Sequence, residues 1–446
     1  MILRNALVMG PSGLFPGAVY INGDKIEAVV AENGDFGEKC GSSADINGKE
    51  KYTSGEADKG SEDYGEVIDC GGKVLLPGFI DAHVHLREPG FEAKETIETG
   101  TAAAAAGGFT TVMPMPNLKP VPDSPEVMEA YTELIRERAQ VRVEPYASIS
   151  FGEKGAEVVD MEALLKAGAA AFSDDGVGVQ DGNVMKAAME KAKCLGAVIA
   201  AHTEDNSLKN GGCVHLGAFS ERTGLRGIPS ACEWAQVERD IELVRQTGAK
   251  YHICHVSAKE TIDLVRKAKA EGLSVTCEIT PHHLVSVDED VKDANWKMNP
   301  PLRSAEDREA LIQALADGTA DIVATDHAPH TKEEKAREIG LAPFGIVGSE
   351  TAFPLLYTNL VKTGRLSLER LAEAMTKKPA EIFGFEDRGE IRPGLSADLV
   401  LVDLDKEYVI DPETFKSKGR NTPYAGETVF GKVLLTMAEG KVIYNG

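Results

Sequence analysis

The sequence predicts an α/β fold: a (β/α)8 TIM-like barrel joined to a small β-sandwich-like domain built from both ends of the chain. Three observations predict it. The middle of the chain alternates eight short apolar runs with longer helical patterns, as repeated βα units do. β-rich blocks without helical periodicity stand at both ends. The 446 residues suffice for one large domain plus a smaller one. The expected division is a composite domain, 1–72 plus 389–446, around a barrel spanning 73–388.

Near the N-terminus, Ala6–Met9, Ala18–Ile21 and Ile26–Val30 read as strands, with Asn22-Gly23 as a turn between two of them. Residues 33–66 are rich in Gly, Asp, Glu, Lys and Ser, lack apolar periodicity, and read as a long exposed loop or a partly mobile insert. The barrel strands are expected at Leu75–Ile80, Thr110–Met113, Val143–Ala147, Ala169–Phe172, Val198–Ala201, Tyr251–Cys254, Ser274–Ile279 and Ile322–Ala324. Helical patterns lie between them, among them Asp160–Ala167, Val184–Leu195 and Lys259–Glu271, and the Ala102–Ala106 run reads as a close-packed helix face. Asp398–Val402, Gly431–Leu435 and Lys441–Tyr444 supply the closing strands.

Hydrophobic residues make up 42% of the chain and charged residues 27%, the balance of a soluble globular protein. Lys plus Arg number 48 against 71 Asp plus Glu, a net charge of −23. That argues against nucleic acid or an anionic membrane as a partner, and an anionic substrate would need a local positive site. The seven cysteines form no C-x-x-C pair; their odd number disfavours a disulfide framework, and a cytoplasmic location fits. The start of the chain lacks a signal-peptide pattern, and no apolar run is long enough to span a membrane.

Barrel chemistry sits at the C-terminal ends of strands, and the polar residues collect there. The first strand runs into His83 and His85, which alternate onto one side of an extended chain, with Arg87 continuing the alternation. Asn117 follows the second strand, Asp174-Asp175 the fourth, His202 the fifth and His255 the sixth. His282, His283 and, further on, Asn299 follow the seventh; Asp326, His327 and His330 follow the eighth. Eight of the ten histidines lie at these positions, His215 and His252 being the exceptions. Four histidines with carboxylates can form a two-metal hydrolytic centre. His83 and His85 would hold one ion, His202 and His255 the other, with Asp175 bridging and Asp326 both ligating and taking a proton. Zinc suits imidazole and carboxylate best, with cobalt and manganese as alternatives. Arg87 offers a planar fork for a carboxylate, with Asn117 and His330 completing the grip. Blander roles exist for each: Asp174 as a turn residue, Asp326 as a helix cap, Arg87 paired to Glu88 or Glu92, His282, His283 and His327 as supports behind the site, and the cysteines as small buried hydrophobes.

These residues sit in PGFIDAHVHLREPG (77–90), GGFTTVMPMPN (107–117), FSDDGVGV (172–179), AHTEDNSL (201–208), CHVSAKE (254–260), CEITPHHL (277–284), MNPPLR (298–303), ATDHAPH (324–330), APFGIVGSET (342–351) and GRNTPYAGE (419–427). With them the chain resembles the amidohydrolase superfamily and, within it, the class I dihydroorotases, from about residue 6 to 446. The resemblance implies reversible cyclisation of N-carbamoyl-L-aspartate to L-dihydroorotate in pyrimidine biosynthesis. It implies two Zn2+ per subunit on His83, His85, Asp175, His202, His255 and Asp326, with Asp326 as general acid/base. Arg87, Asn117, Asn299 and His330 match substrate-binding positions, and Phe344 and Gly345 match backbone contacts to the ring. A homodimer and an association with aspartate carbamoyltransferase are expected by the same analogy. The related dihydropyrimidinases, hydantoinases and allantoinases bridge their metals with a carboxylated lysine after strand four. No lysine stands between Ala167 and Gly182 here, which favours dihydroorotase over that alternative. A non-catalytic, dihydroorotase-like partner protein is the second alternative, and the complete ligand set disfavours it.

Overall fold

The computed structural model describes residues 1–31 and 65–446. The loop expected at 33–66 therefore lies, apart from Gly65 and Glu66, outside the described residues.

In chain order the strands are β1 (Ile2–Gly10), β2 (Gly13–Asn22), β3 (Lys25–Ala31), β4 (Val67–Asp69), β5 (Val74–Pro77), β6 (Phe79–Val84), β7 (Phe109–Pro114), β8 (Arg142–Val143), β9 (Tyr146–Ala147), β10 (Ala171–Phe172), β11 (Val198–Ala201), β12 (Val214–His215), β13 (Gly227–Ile228), β14 (Lys250–Ile253), β15 (Val275–Ile279), β16 (Ile322–Val323), β17 (Leu399–Val409), β18 (Thr428–Ala438) and β19 (Lys441–Asn445).

The barrel is a ring of parallel strands. β6 pairs with β7 and β7 with β8; β9 pairs with β10, and the order continues through β11, β14, β15 and β16. β8 and β9 are two halves of the single strand expected at Val143–Ala147. Pro145 lacks the N–H that a ladder needs, so one half pairs with β7 and the other with β10. The seam between β16 and β6 closes through few contacts. His85 N donates to His327 O (2.9 Å), and the buried Asp81 carboxylate accepts from Thr325 N (2.9 Å) and Thr325 Oγ1 (2.6 Å). Barrel strands read as continuous apolar runs because both faces are covered: every residue of β6, β7 and β11 is buried. Helices close the outside. Ser124 caps the helix Pro125–Arg138, with proline at its first turn. Asp181 starts Gly182–Leu195, and Gly196 ends it in left-handed backbone (φ 70°).

The two ends of the chain share one eight-stranded sheet, ordered β19-β18-β17-β5-β1-β2-β3, with β4 beside β1. One face packs on the barrel through Val74, Leu76, Val400, Val402 and Val433. The other encloses its own core of Leu3, Val8, Val19, Ile26, Leu75, Leu399 and Met437. The ends of this sheet approach each other: a Cβ on Gly440, in the β18–β19 turn, would stand 2.1 Å from Gly23 O in the β2–β3 turn. The sandwich-like domain is thus a single sheet curled over its core. The expected strand Leu75–Ile80 spans two elements. Val74–Pro77 joins the terminal sheet, Phe79 onwards joins the barrel, and the switch falls at Gly78, where a Cβ would lie 2.3 Å from Thr110 Oγ1.

Candidate metal centre

Four strand ends and the loop after β16 converge at one mouth of the barrel. His83 lies in β6 and His85 just past it; Asp175 follows β10, His202 β11, His255 β14 and Asp326 β16. All six side chains are buried. Their donor atoms fall into two overlapping groups, His83 with His85 and Asp175, and Asp175 with His202 and His255. His83 Nε2 lies 3.4 Å from Asp175 Oδ1 and 3.6 Å from Asp326 Oδ1. His85 Nε2 lies 3.0 Å from Asp326 Oδ1 and 3.6 Å from Asp175 Oδ2. On the other side, His202 Nδ1 is 3.6 Å and His255 Nε2 3.7 Å from Asp175 Oδ1, and the two nitrogens are 2.9 Å apart.

This donor set fits divalent metal. Ligands held about 2.1 Å from a tetrahedral ion stand roughly 3.4 Å from one another, the range found here. His83 Nε2 and Asp175 Oδ1 are buried without a hydrogen-bond partner, an arrangement that is costly unless a cation takes both. The tautomers agree with ligation. His83 Nδ1 faces Glu278 Oε1 (2.7 Å) and His85 Nδ1 faces Asn117 Oδ1 (3.0 Å); donating there leaves each Nε2 lone pair free. A third donor group, His83 with Cys254 and Glu278, is not comparable, because burial pushes the Cys254 thiol up and keeps it protonated.

Charge follows the same plan. Burial would raise the Asp175 carboxyl, but His83, His202 and His255 hold it well below its usual range. Asp326 is likewise lowered by His85 and His83 against its burial. Burial disfavours charge on His202, yet Asp175 and Glu204 push it up to about 9. Burial and Arg87 together lower His85.

Around this buried cluster stands a more accessible rim. Arg87, Asn117, Asn299 and Phe344 are half-buried. The strand alternation expected to carry Arg87 stops at Val84, and Arg87 adopts left-handed backbone (φ 61°). Its guanidinium still reaches the site: Nε donates to Pro329 O (3.3 Å), and one terminal nitrogen is 3.5 Å from His330 Nε2. Asn117 Nδ2 donates to Asp175 Oδ2 (3.1 Å), and Asn299 Nδ2 donates to Glu204 Oε2 (2.7 Å). His330 Nε2 donates to Phe344 O (2.7 Å). Gly345 N donates to Lys297 O (2.9 Å), and at φ +124° a Cβ on Gly345 would lie 2.7 Å from the Ala328 Cβ. Left-handed backbone also occurs at His255 (φ 34°) and Asp326 (φ 48°), strain of the kind that functional sites store.

Other residues take supporting positions. Asp174 accepts from Ile149 N (2.7 Å) and Ser150 N (3.1 Å), fastening the loop after β9. His327 Nδ1 accepts from Gly348 N (3.1 Å) and Ser349 N (3.3 Å). His283 bonds Thr280 Oγ1 (2.7 Å) and Pro300 O (3.1 Å). His282 faces Asp326, His255 and His83 of the cluster, and burial brings it down to about 4. Sequence reasoning missed Glu278, which braces His83 and is itself braced by His252 Nε2 (3.1 Å). It also missed Glu204, between Asn299 and Lys209 Nζ (2.6 Å). The available signal for Glu278 was a carboxylate inside an otherwise apolar strand.

The Dihydro-orotase-like family profile matches residues 72–261. The dihydroorotase of Bacillus caldolyticus is 56% identical over 381 residues, covering 85% of this chain and 89% of that protein. The dihydroorotase of Bacillus cytotoxicus is 55% identical over 386 residues, covering 86% and 90%. Among solved structures, the L-hydantoinase (dihydropyrimidinase) of Arthrobacter aurescens superposes with a TM-score of 0.83 at 26% identity, covering 100% of this chain and 96% of the other. Dihydropyrimidinase from Brevibacillus agri NCHU1002 gives 0.82 at 24% identity, over 100% and 95%, a likeness of fold alone. The solved structures share the fold, and identity above one half over most of both chains decides between hydantoinase and dihydroorotase: this chain belongs to the dihydroorotase family.

Proposed function

We propose that this enzyme interconverts N-carbamoyl-L-aspartate and L-dihydroorotate, with His83, His85, Asp175, His202, His255 and Asp326 holding two zinc ions per subunit. One juxtaposition carries the reading: a guanidinium, Arg87, beside His330 at the rim of a buried histidine–carboxylate cluster, in a chain of net charge −23. A hydrolytic metal cluster next to a fixed cation suits a cyclic amide that bears a carboxylate.

Divalent ions held by these residues would activate water near neutral pH and polarise the ring carbonyl. The protein supplies the rest. Arg87 meets the exocyclic carboxylate with its planar fork, and Asn117, Asn299 and His330 complete the grip, with Phe344 and Gly345 lining the ring. Asp326, kept ionised by His85 and His83, accepts a proton from the attacking water and delivers it to the leaving ring nitrogen. In the biosynthetic direction Asp326 takes the proton from the carbamoyl nitrogen and gives it to the departing carboxylate oxygen, and a second proton from solvent completes the water. Imidazole with carboxylate suits zinc, and with no lysine between Ala167 and Gly182 Asp175, which belongs to both donor groups, would be the carboxylate common to the two ions. A homodimer, an association with aspartate carbamoyltransferase and a cytoplasmic location rest on the family resemblance. Among the described residues no helix is long and apolar enough to cross a membrane.

A substrate panel tests the reading. Metal-replete protein should hydrolyse dihydroorotate and discriminate against dihydrouracil, hydantoin and allantoin by about 100-fold or more in kcat/KM. Equal or better turnover of a ring without the carboxylate would assign the chain to hydantoinase-type chemistry.

A further inference from the structure

The segment 340–345 carries Phe344 and Gly345, and its carbonyls turn towards two buried ammonium groups. Lys297 Nζ donates to Gly340 O (3.3 Å) and Ala342 O (2.6 Å). Lys335 Nζ donates to Pro343 O (3.1 Å), to Gly345 O (2.9 Å) and, at 3.4 Å, to the carbonyl of Lys297 itself. That Lys297 carbonyl also accepts from Gly345 N (2.9 Å). Lys297 is 4% and Lys335 8% exposed. The carboxylates facing Lys335, those of Asp293 and Glu334, act on it through space only. Burying an ammonium is costly, and backbone carbonyls are its compensation here. An apolar side chain of similar length would fill the space at less cost, but would take from the Gly340, Ala342 and Pro343 carbonyls the donors that Lys297 and Lys335 supply.

The pinned carbonyls flank a third. Phe344 O lies between those of Pro343 and Gly345 and accepts from His330 Nε2 (2.7 Å). His330 in turn stands 3.5 Å from an Arg87 nitrogen. Asn421 supports the same arrangement, its Oδ1 accepting from His330 N (3.1 Å) and its Nδ2 donating to Gly345 O (3.1 Å).

We propose that Lys335 is a positioning residue for the substrate-carboxylate site. By holding the Pro343 and Gly345 carbonyls it fixes Phe344 O, Phe344 O orients the His330 ring, and His330 completes the grip beside Arg87. The proposal rests on the reading of Arg87 and His330 as that grip.

The test is a double-mutant cycle on metal-loaded enzyme: wild type, Lys335→Met, His330→Ala and the double variant, with Arg87→Met alongside. KM and kcat are measured for cyclisation of N-carbamoyl-L-aspartate at pH 6.5. There Lys335, brought down to about 7 by burial and by Lys297 against the pull of Asp293 and Glu334, carries its charge. Lys335→Met should raise KM about tenfold with kcat within about twofold, and should add less than about twofold in the His330→Ala background. If Lys335→Met does not fold, Lys335→Gln, whose amide nitrogen sits one bond nearer the backbone and so falls short of the Pro343 and Gly345 carbonyls, replaces it in the cycle with the same expected direction. Unchanged KM, a fall in kcat without a rise in KM, or an effect undiminished without His330 overturns the proposal. Arg87→Met separates the two readings. Unchanged KM in Arg87→Met removes the carboxylate grip itself, whereas raised KM there with unchanged KM at position 335 removes only the role of Lys335.

Discussion

Asp326 meets two demands at one carboxylate: it lies 3.0 Å from His85 Nε2, and in the proposed reaction it carries the proton. Asp326→Asn keeps the shape and removes the basicity. Turnover should fall by about 1,000-fold or more with circular dichroism unchanged, and an active variant would contradict the role. Arg87→Met should raise KM for dihydroorotate by about 10- to 100-fold with a small change in kcat, read from steady-state kinetics. His202 gives a pH dependence. Its ionisation is raised to about 9, so it is protonated at neutral pH without metal, and ligation requires the neutral ring. Zinc affinity, measured by chelator competition, should therefore tighten from pH 6.5 to 8.5. In the metal-free protein the stabilisation from charged His202 is complete below about 6.5 and is lost as pH rises through about 9. At this scale the clustering of His83, His85, Asp175, His202, His255 and Asp326 was legible in the sequence, because each lies within three residues of the end of an apolar strand. Glu278 and His252 were not, because a polar residue inside a strand carries no sign of which neighbour it will meet.

At the scale of elements, the positions of strands were readable from apolar runs, and Val198–Ala201 falls as expected. Two features depended on partners instead. The run through Gly78 divides between two sheets, and the change falls where Gly78 passes close to Thr110. The strand at 142–147 is broken in its ladder by Pro145. Arg87 reaches the site by a left-handed turn (φ 61°), whereas simple alternation was expected to place it. The loop after β16 obeys a similar local constraint at Gly345, whose φ of +124° and 2.7 Å clearance to Ala328 exclude a Cβ. Gly345→Ala should cost about 2 kcal/mol of stability and raise KM, checked by thermal denaturation and kinetics. A variant with native stability and KM would show that the segment has room to adjust.

At the scale of the molecule, the barrel and the terminal sheet are tied by buried charge. Arg142, in β8, pairs with Asp398, donates to Ser396 Oγ (2.8 Å) and lies 3.1 Å from Glu439 Oε1. Asp398 is 2% exposed at its side chain. Arg142→Ala would leave that carboxylate without its cation and should destabilise the protein by about 3 kcal/mol, seen as a lowered Tm, while the kcat of the folded fraction stays near native. That the two ends meet was legible in their matching β-rich blocks; that they form one curled sheet was not, since strand order is decided by pairing and not by pattern. The account turns on a metal-dependent site that selects a carboxylated ring. Its most direct test is spectrophotometric hydrolysis of dihydroorotate before chelation, after chelation and after zinc is restored. Activity should disappear with the metal and return with about two zinc ions per chain. Full activity in chelated, metal-free protein would contradict it.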